Sequence, residues 1–93
     1  MMYTIIVLYK LKELSAEQKE RTKEEWEKLR KEFGKYGVKL VSDNSHAFGT
    51  YWNGFLVLEA ENFDKYVEFW KWLKEKIRWY IESTMTIIGV KRE

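Results

Sequence analysis

The chain has no cysteine and no proline, a single histidine and only five glycines in 93 residues. Without thiols there is no disulfide framework, no thiolate nucleophile and no cysteine-ligated metal. One histidine among scattered carboxylates forms no recognisable ligand spacing, so no metal site and no cofactor are expected. There is no run of about 18 apolar residues and no signal-peptide pattern, which predicts a cytoplasmic protein that does not associate with a membrane. Charge of one sign is also scarce in excess: 17 Lys and Arg face 15 Asp and Glu, a net +2. That surplus is too small to imply a nucleic-acid partner. Glutamine occurs once, at Gln18, and asparagine three times; with abundant Lys and Glu, this is the composition of a thermophile protein.

What is present is apolar and aromatic: 45% of the residues are hydrophobic, and Trp, Tyr and Phe number five, six and five. This is a globular composition, and the length predicts one domain over 1–93. Residues 2–11 are β-branched and aromatic on both alternating sets, a strand covered on both faces. Ser15-Ala16-Glu17-Gln18 is a capping box that opens a helix reaching about Phe33, with Gly34 or Gly37 as its stop. Thr22, Trp26, Leu29 and Phe33 form its apolar stripe, beside Glu17/Arg21, Glu24/Lys28 and Glu27/Lys31 pairs on a solvated face.

Val38–Val41 alternates as a strand, the turn-prone Ser42-Asp43-Asn44-Ser45 interrupts it, and His46–Trp52 resumes it with Gly49 as a kink point. Phe55–Ala60 is a third strand. Asn62 caps a second helix whose stripe is Phe63, Tyr66, Trp70, Leu73 and Ile77, widened by Val67, Phe69 and Trp72. Residues 82–91 form the last strand. The order βαββαβ is the ferredoxin-like split βαβ, an α+β fold. Right-handed crossovers place both helices on one face of a four-stranded antiparallel sheet of spatial order 4-1-3-2.

Asn53-Gly54 between two apolar runs predicts a two-residue type I′ hairpin. In that register His46, Phe48, Thr50, Trp52, Phe55, Val57 and Glu59 share the face away from the helices. Ala47, Gly49, Tyr51, Leu56, Leu58 and Ala60 face them. The first set, joined by one side of the first strand, leaves an apolar patch that marks an interaction surface.

Gly49-Thr50-Tyr51-Trp52-Asn53 at the hairpin, Leu58-Glu59-Ala60-Glu61-Asn62 before the second helix and the final Ser83-Thr84-Met85-Thr86-Ile87-Ile88 resemble the dimeric α/β-barrel superfamily. Within it the chain is similar to small uncharacterised proteins with a Gly-x-Tyr-Asp signature (GYD) and to YciI-like proteins. Trp52 stands where the signature has its aspartate. The resemblance implies a homodimeric barrel, two helix-free sheet faces packed together around a cavity, and the leading functional expectation is that this cavity binds a small molecule. It implies no particular activity, since the superfamily spans several chemistries. Its haem-degrading members use an asparagine on the first strand and a histidine on the second helix, and both are missing here.

For catalysis the candidates are His46 and Glu59, neighbours in the expected register, where a carboxylate orients an imidazole base. Tyr9, Asn44, Phe48, Tyr51 and Trp52 are the candidate ligand-binding residues, although the register turns Tyr51 toward the helices. Trp26 and Trp70 lie on helix stripes and read as core, whereas Trp52, Trp72 and Trp79 are candidates for the dimer contact. The alternative is a non-catalytic assembly module. RRM-like RNA binding by Gly54-Phe55-Leu56-Val57-Leu58 is disfavoured by the absence of a basic residue before Gly54 and by Glu59 and Glu61 after it.

Overall fold

A computed structural model describes residues 1–92; residue 93, the last of the expected domain, lies outside the described residues. The elements are β1 (Tyr3–Leu11), α1 (Ala16–Arg30), a single 3₁₀ turn (Phe33–Tyr36), β2 (Val38–Ser45), β3 (Gly54–Ala60), α2 (Phe63–Ile77) and β4 (Ile81–Val90). The sheet is antiparallel with order β2-β3-β1-β4, and the fold is the ferredoxin-like βαββαβ. This is the order that right-handed crossovers require.

Local chemistry accounts for the helix ends. The Ser15 hydroxyl accepts from the Gln18 amide at 3.1 Å while the Gln18 side chain accepts from the Ser15 amide at 2.9 Å, which satisfies two orphan donors of α1. Asn62 Oδ1 accepts from the Lys65 amide at 2.9 Å at the start of α2. The first helix ends at Arg30, and the chain tightens into the 3₁₀ turn before Gly37, whose φ of 69° no other residue type adopts as readily. The helix-face ion pairs differ from the expected ones: Arg21–Glu25, Lys23–Glu20 and Arg30–Glu27 form instead.

The core lies between the helices and one sheet face. Ile5, Val7, Leu56, Leu58 and Ala60 point to the helices and are buried under Leu29, Phe33, Tyr66, Phe69, Leu73 and Ile77. Burial of each large side chain contributes about 1.5–3 kcal/mol. Phe33 and Phe69 meet edge to face at 4.8 Å, flanked by Tyr36 and Trp72. The widened side of the α2 stripe is the buried one: Phe69 is wholly buried, while Phe63 is exposed and Trp70 half-buried.

The hairpin between β2 and β3 departs from the sequence reading. Ser45 pairs with Gly54, Asn44 with Phe55, Asp43 with Leu56 and Ser42 with Val57. The expected turn at Ser42–Ser45 is therefore strand, and the expected strand His46–Trp52 lies in the connection that follows it. The register also slips between Leu40 and Ser42, which leaves Val41 unpaired and exposed as a bulge. Pairing along β3 overrides the turn propensity of Ser42-Asp43-Asn44-Ser45.

Gly54 explains why the two-residue turn is not used. Its φ is not positive; the positive values belong to Gly37, His46 and Gly49. A Cβ on Gly54 would run into the Asn44 carbonyl oxygen and the Tyr9 ring. Glycine is there because the Tyr9 side chain lies across it, not because a turn needs it. Asn53 closes the end of the sheet: its Oδ1 accepts from the Leu11 amide at 2.7 Å, and its own amide donates to the Tyr9 carbonyl at 2.9 Å.

Candidate functional site

Strand alternation assigns the helix-free face. It carries Thr4, Ile6, Leu8 and Lys10 from β1, Phe55, Val57 and Glu59 from β3, Ser42 and Asn44 from β2, and Met85 and Ile87 from β4. Two rows cross three strands side by side: Val57, Ile6 and Ile87, then Phe55, Leu8 and Met85. No described element covers them, and Met85 and Ile87 are 45% and 52% exposed. β4 is also an edge strand, with Ile88 and Val90 exposed on its other side. Beside the apolar rows, Asn44 donates through Nδ2 to Ser42 Oγ at 2.9 Å and to the Phe55 carbonyl at 3.2 Å.

The sequence-predicted site residues are dispersed. His46 directly follows β2, exposed and with φ 58°, its Nδ1 3.1 Å from Ser45 Oγ. Glu59 is opposite Thr4 and Lys39, and its carboxylate is 3.3 Å from Lys91 Nζ. Because Ser45 pairs with Gly54, the two lie toward opposite ends of β3, roughly 17 Å apart along the strand. One chain therefore does not assemble them as a dyad, and the expected adjacency is corrected.

Phe48 and Trp52 sit in the connection and not on the sheet, with Phe48 94% exposed. Tyr51, expected toward the helices, is exposed beneath Lys10, whose ammonium lies 4.7 Å over its ring and 3.3 Å from its carbonyl oxygen. Of the candidate ligand contacts, Asn44 alone is on the open sheet face. Tyr9 is on the opposite side, under the helices, where burial and then the Asp43 charge raise its phenol pKa. Trp72 is partly buried against the core, and Trp79 is on the helix side beside Tyr80.

That helix side holds a polar cluster the sequence reading did not find. Trp26 Nε1 donates to Asp43 Oδ2 at 2.7 Å, bringing α1 onto β2, and Arg30 stands 3.8 Å from the same carboxylate oxygen. Arg21 is 3.5 Å from Glu25 Oε2 and lies 4.6 Å over the Trp79 ring. Trp79 meets Tyr80 edge-on at 5.0 Å. Tyr80 is 6% exposed; burial raises its phenol pKa far above the usual value, and the nearby Glu25, Tyr9 and Asp43 add to the rise. No local pattern announces this cluster, since its members come from α1, β1, β2 and the junction of α2 with β4.

Two open grooves lie elsewhere. One of about 320 Å³ runs between the end of α2 and the start of β4, past Trp70, Arg78 and Glu82. The other, about 820 Å³, is bounded by residues 10–14, Lys19, Asn53 and Glu82. Among the described residues, no three His, Asp or Glu side chains gather to hold a metal, and no helix is long and apolar enough to cross a membrane.

No family model and no curated protein matches the sequence. Solved structures do. A DABB family protein with a ferredoxin-like fold from Mesorhizobium loti superposes with a TM-score of 0.69 at 17% identity, over 99% of this chain and 98% of its own. A dimeric ferredoxin-like protein of unknown function from Bacteroides fragilis gives 0.61 at 20% identity, over 95% and 94%. A candidate antibiotic biosynthesis monooxygenase from Nitrosomonas europaea gives 0.69 at 12% identity, over 97% and 89%. The likeness is one of fold. At these identities the specific resemblance to GYD and YciI-like proteins has no separate support.

Proposed function

We propose that two copies of this chain pack their helix-free sheet faces together and that the homodimer binds a small molecule in the space between the sheets. The observation that carries this reading is the uncovered apolar patch of Val57, Ile6, Ile87, Phe55, Leu8 and Met85 on one face. A patch of this kind in a soluble domain needs a partner. The molecule is a slab of 43 × 31 × 17 Å, so its broad side exceeds the about 800 Å² per partner that a stable interface buries. The dimeric Bacteroides fragilis structure and the small-molecule chemistry in the name of the Nitrosomonas europaea protein agree with it.

In this dimer Asn44 and Ser42 offer polar groups on the wall, and His46, Phe48, Tyr51 and Trp52 stand at the rim beyond β2. Tyr9 stays behind the sheet. Cofactor-independent catalysis by His46 and Glu59 requires the dimer to bring the two together, because one chain holds them apart. Light scattering on purified protein tests the assembly: a dimer at micromolar concentration is expected, and Val57→Asp should give a folded monomer by circular dichroism. A wild-type monomer at tens of micromolar refutes the reading. A dimer whose crystal structure shows a dry, filled interface retains the assembly and removes the ligand.

A further inference from the structure

β4 pairs with β1 along one side, and no described strand lies along the other. Its outward N–H and C=O groups are therefore a row open to pairing. Met85, Ile87, Ile88 and Val90 are all exposed there, on both faces of the strand. The run Ser83–Val90 is uncharged, and the charges stand just outside it. Glu82 lies where β1 skips from Ser83 to Ile81, so it has no partner on β1. At the far end the Lys91 amide donates to the Met2 carbonyl at 2.8 Å, which carries the extended course to within one residue of Arg92. Lys91 is taken by Glu59 at 3.3 Å, whereas neither Glu82 nor Arg92 has an ion-pair partner among the described residues.

We propose that this edge pairs antiparallel with β4 of a second copy, in the register centred on Ile87. Symmetry restricts the choice. A two-fold axis perpendicular to the sheet reverses the strand and keeps each face on its own side, so residues opposite one another lie an even number apart. Glu82 and Arg92 are ten apart. Centring the pair on Ile87 sets Glu82 opposite Arg92 of the second copy, and the two-fold repeats the contact at the other end. Between them Thr86 meets Ile88, Met85 meets Gly89 and Thr84 meets Val90, all uncharged, while Ser83 meets Lys91. Moving the register by two residues brings Arg92 to Tyr80 or Thr84 and breaks both contacts. The charged ends thus specify an alignment that the uncharged middle leaves open.

This contact is separate from the sheet-face dimer, since it uses the edge of the sheet and not its face. Two paired strands alone are marginal in water, so it joins chains only well above micromolar concentration.

The test uses the full chain, which has no cysteine of its own. Thr86→Cys and Ile88→Cys are made separately, mixed in equal amounts at roughly millimolar concentration and mildly oxidised. In the proposed register their Cα atoms are about 4.5–5.5 Å apart, within disulfide reach, whereas two copies of either variant are about 8 Å apart, beyond it. Both positions are on the helix side, so a face-to-face pair cannot bring them together. The expected result, read by mass spectrometry, is a mixed disulfide dimer about tenfold more abundant than either homodimer. Glu82→Lys or Arg92→Glu, each checked for fold by circular dichroism, should cut the mixed product about fivefold, and the two together should restore it. The inference falls if the mixed product does not exceed the about twofold excess of random collision, if either charge reversal leaves its yield unchanged, or if the double exchange fails to restore it.

Discussion

Replacing Gly54 by alanine tests the packing at the end of the sheet. The new Cβ would overlap the Asn44 carbonyl oxygen and the Tyr9 hydroxyl and would lie 2.7 Å from Tyr9 Cζ. The backbone has no room to retreat, because Gly54 is paired to Ser45 on one side and Tyr9 on the other. Overpacking of this kind costs about 1–3 kcal/mol. Alanine at an allowed φ returns about 0.4–1 kcal/mol by restricting the unfolded chain. The net is a loss of about 1–2 kcal/mol. Urea unfolding at one fixed protein concentration measures it, since assembly would otherwise shift the midpoint. Tyr9→Ala in the same chain should recover at least about 0.5 kcal/mol as a coupling energy. Gly34→Ala, which meets nothing within 4 Å, is the neutral control. Wild-type stability in Gly54→Ala, or a double mutant that is merely additive, refutes the packing argument.

Tyr80→Phe removes a hydroxyl with no partner among the described residues, so the protein should gain about 1 kcal/mol in urea unfolding. The raised pKa of Tyr80, with those of Tyr9 and Tyr66, contributes to the alkaline limb of stability: unfolded tyrosines ionise near 10.0, while the folded protein holds these protons to higher pH. Stability is therefore intact below about pH 10 and falls as pH rises beyond it, less steeply in Tyr80→Phe. Asn53→Ala should cost about 0.5–1.5 kcal/mol and speed hydrogen exchange at the Leu11 amide, which loses its 2.7 Å acceptor. Lys91→Ala should change stability by less than about 1 kcal/mol, with the difference shrinking in salt, because the Lys91 side chain that pairs with Glu59 is 59% exposed.

The fold was legible wherever the deciding interactions are local. Ser15 and Gln18 cap each other across three residues, Asn62 does the same for α2, and the stripe that includes Tyr66, Leu73 and Ile77 repeats at the helical period. From those elements the strand order follows by handedness alone. The β2–β3 connection was misread because Asn53-Gly54 has the composition of a tight turn, whereas the need for glycine there arises from Tyr9, some 45 residues away along the chain. The misplaced register then carried His46 toward Glu59. The face assignment of Phe55, Val57 and Glu59 survived, since alternation within β3 does not depend on where the turn lies. The cluster around Tyr80 was out of reach because it exists only once α1 crosses the α2–β4 junction, and no spacing in the sequence encodes that crossing.

The edge position of β4 bears on how the chain avoids its own copies in the wrong alignment. Between Glu82 and Lys91 the strand carries no charge, only Ser, Thr, Met, Ile, Gly and Val. Natural edges usually hold a lysine or a proline in mid-strand to forbid pairing with a stray strand. Here a slide of two residues keeps every side chain on its own face and meets no repulsion until the strand ends come into play. In the proposed face-to-face dimer the alignment of the second molecule would then be set by shape, by how Phe55, Leu8 and Met85 fill space, and volume changes in those three side chains are expected to trade ordered pairs for aggregates before they unfold the chain.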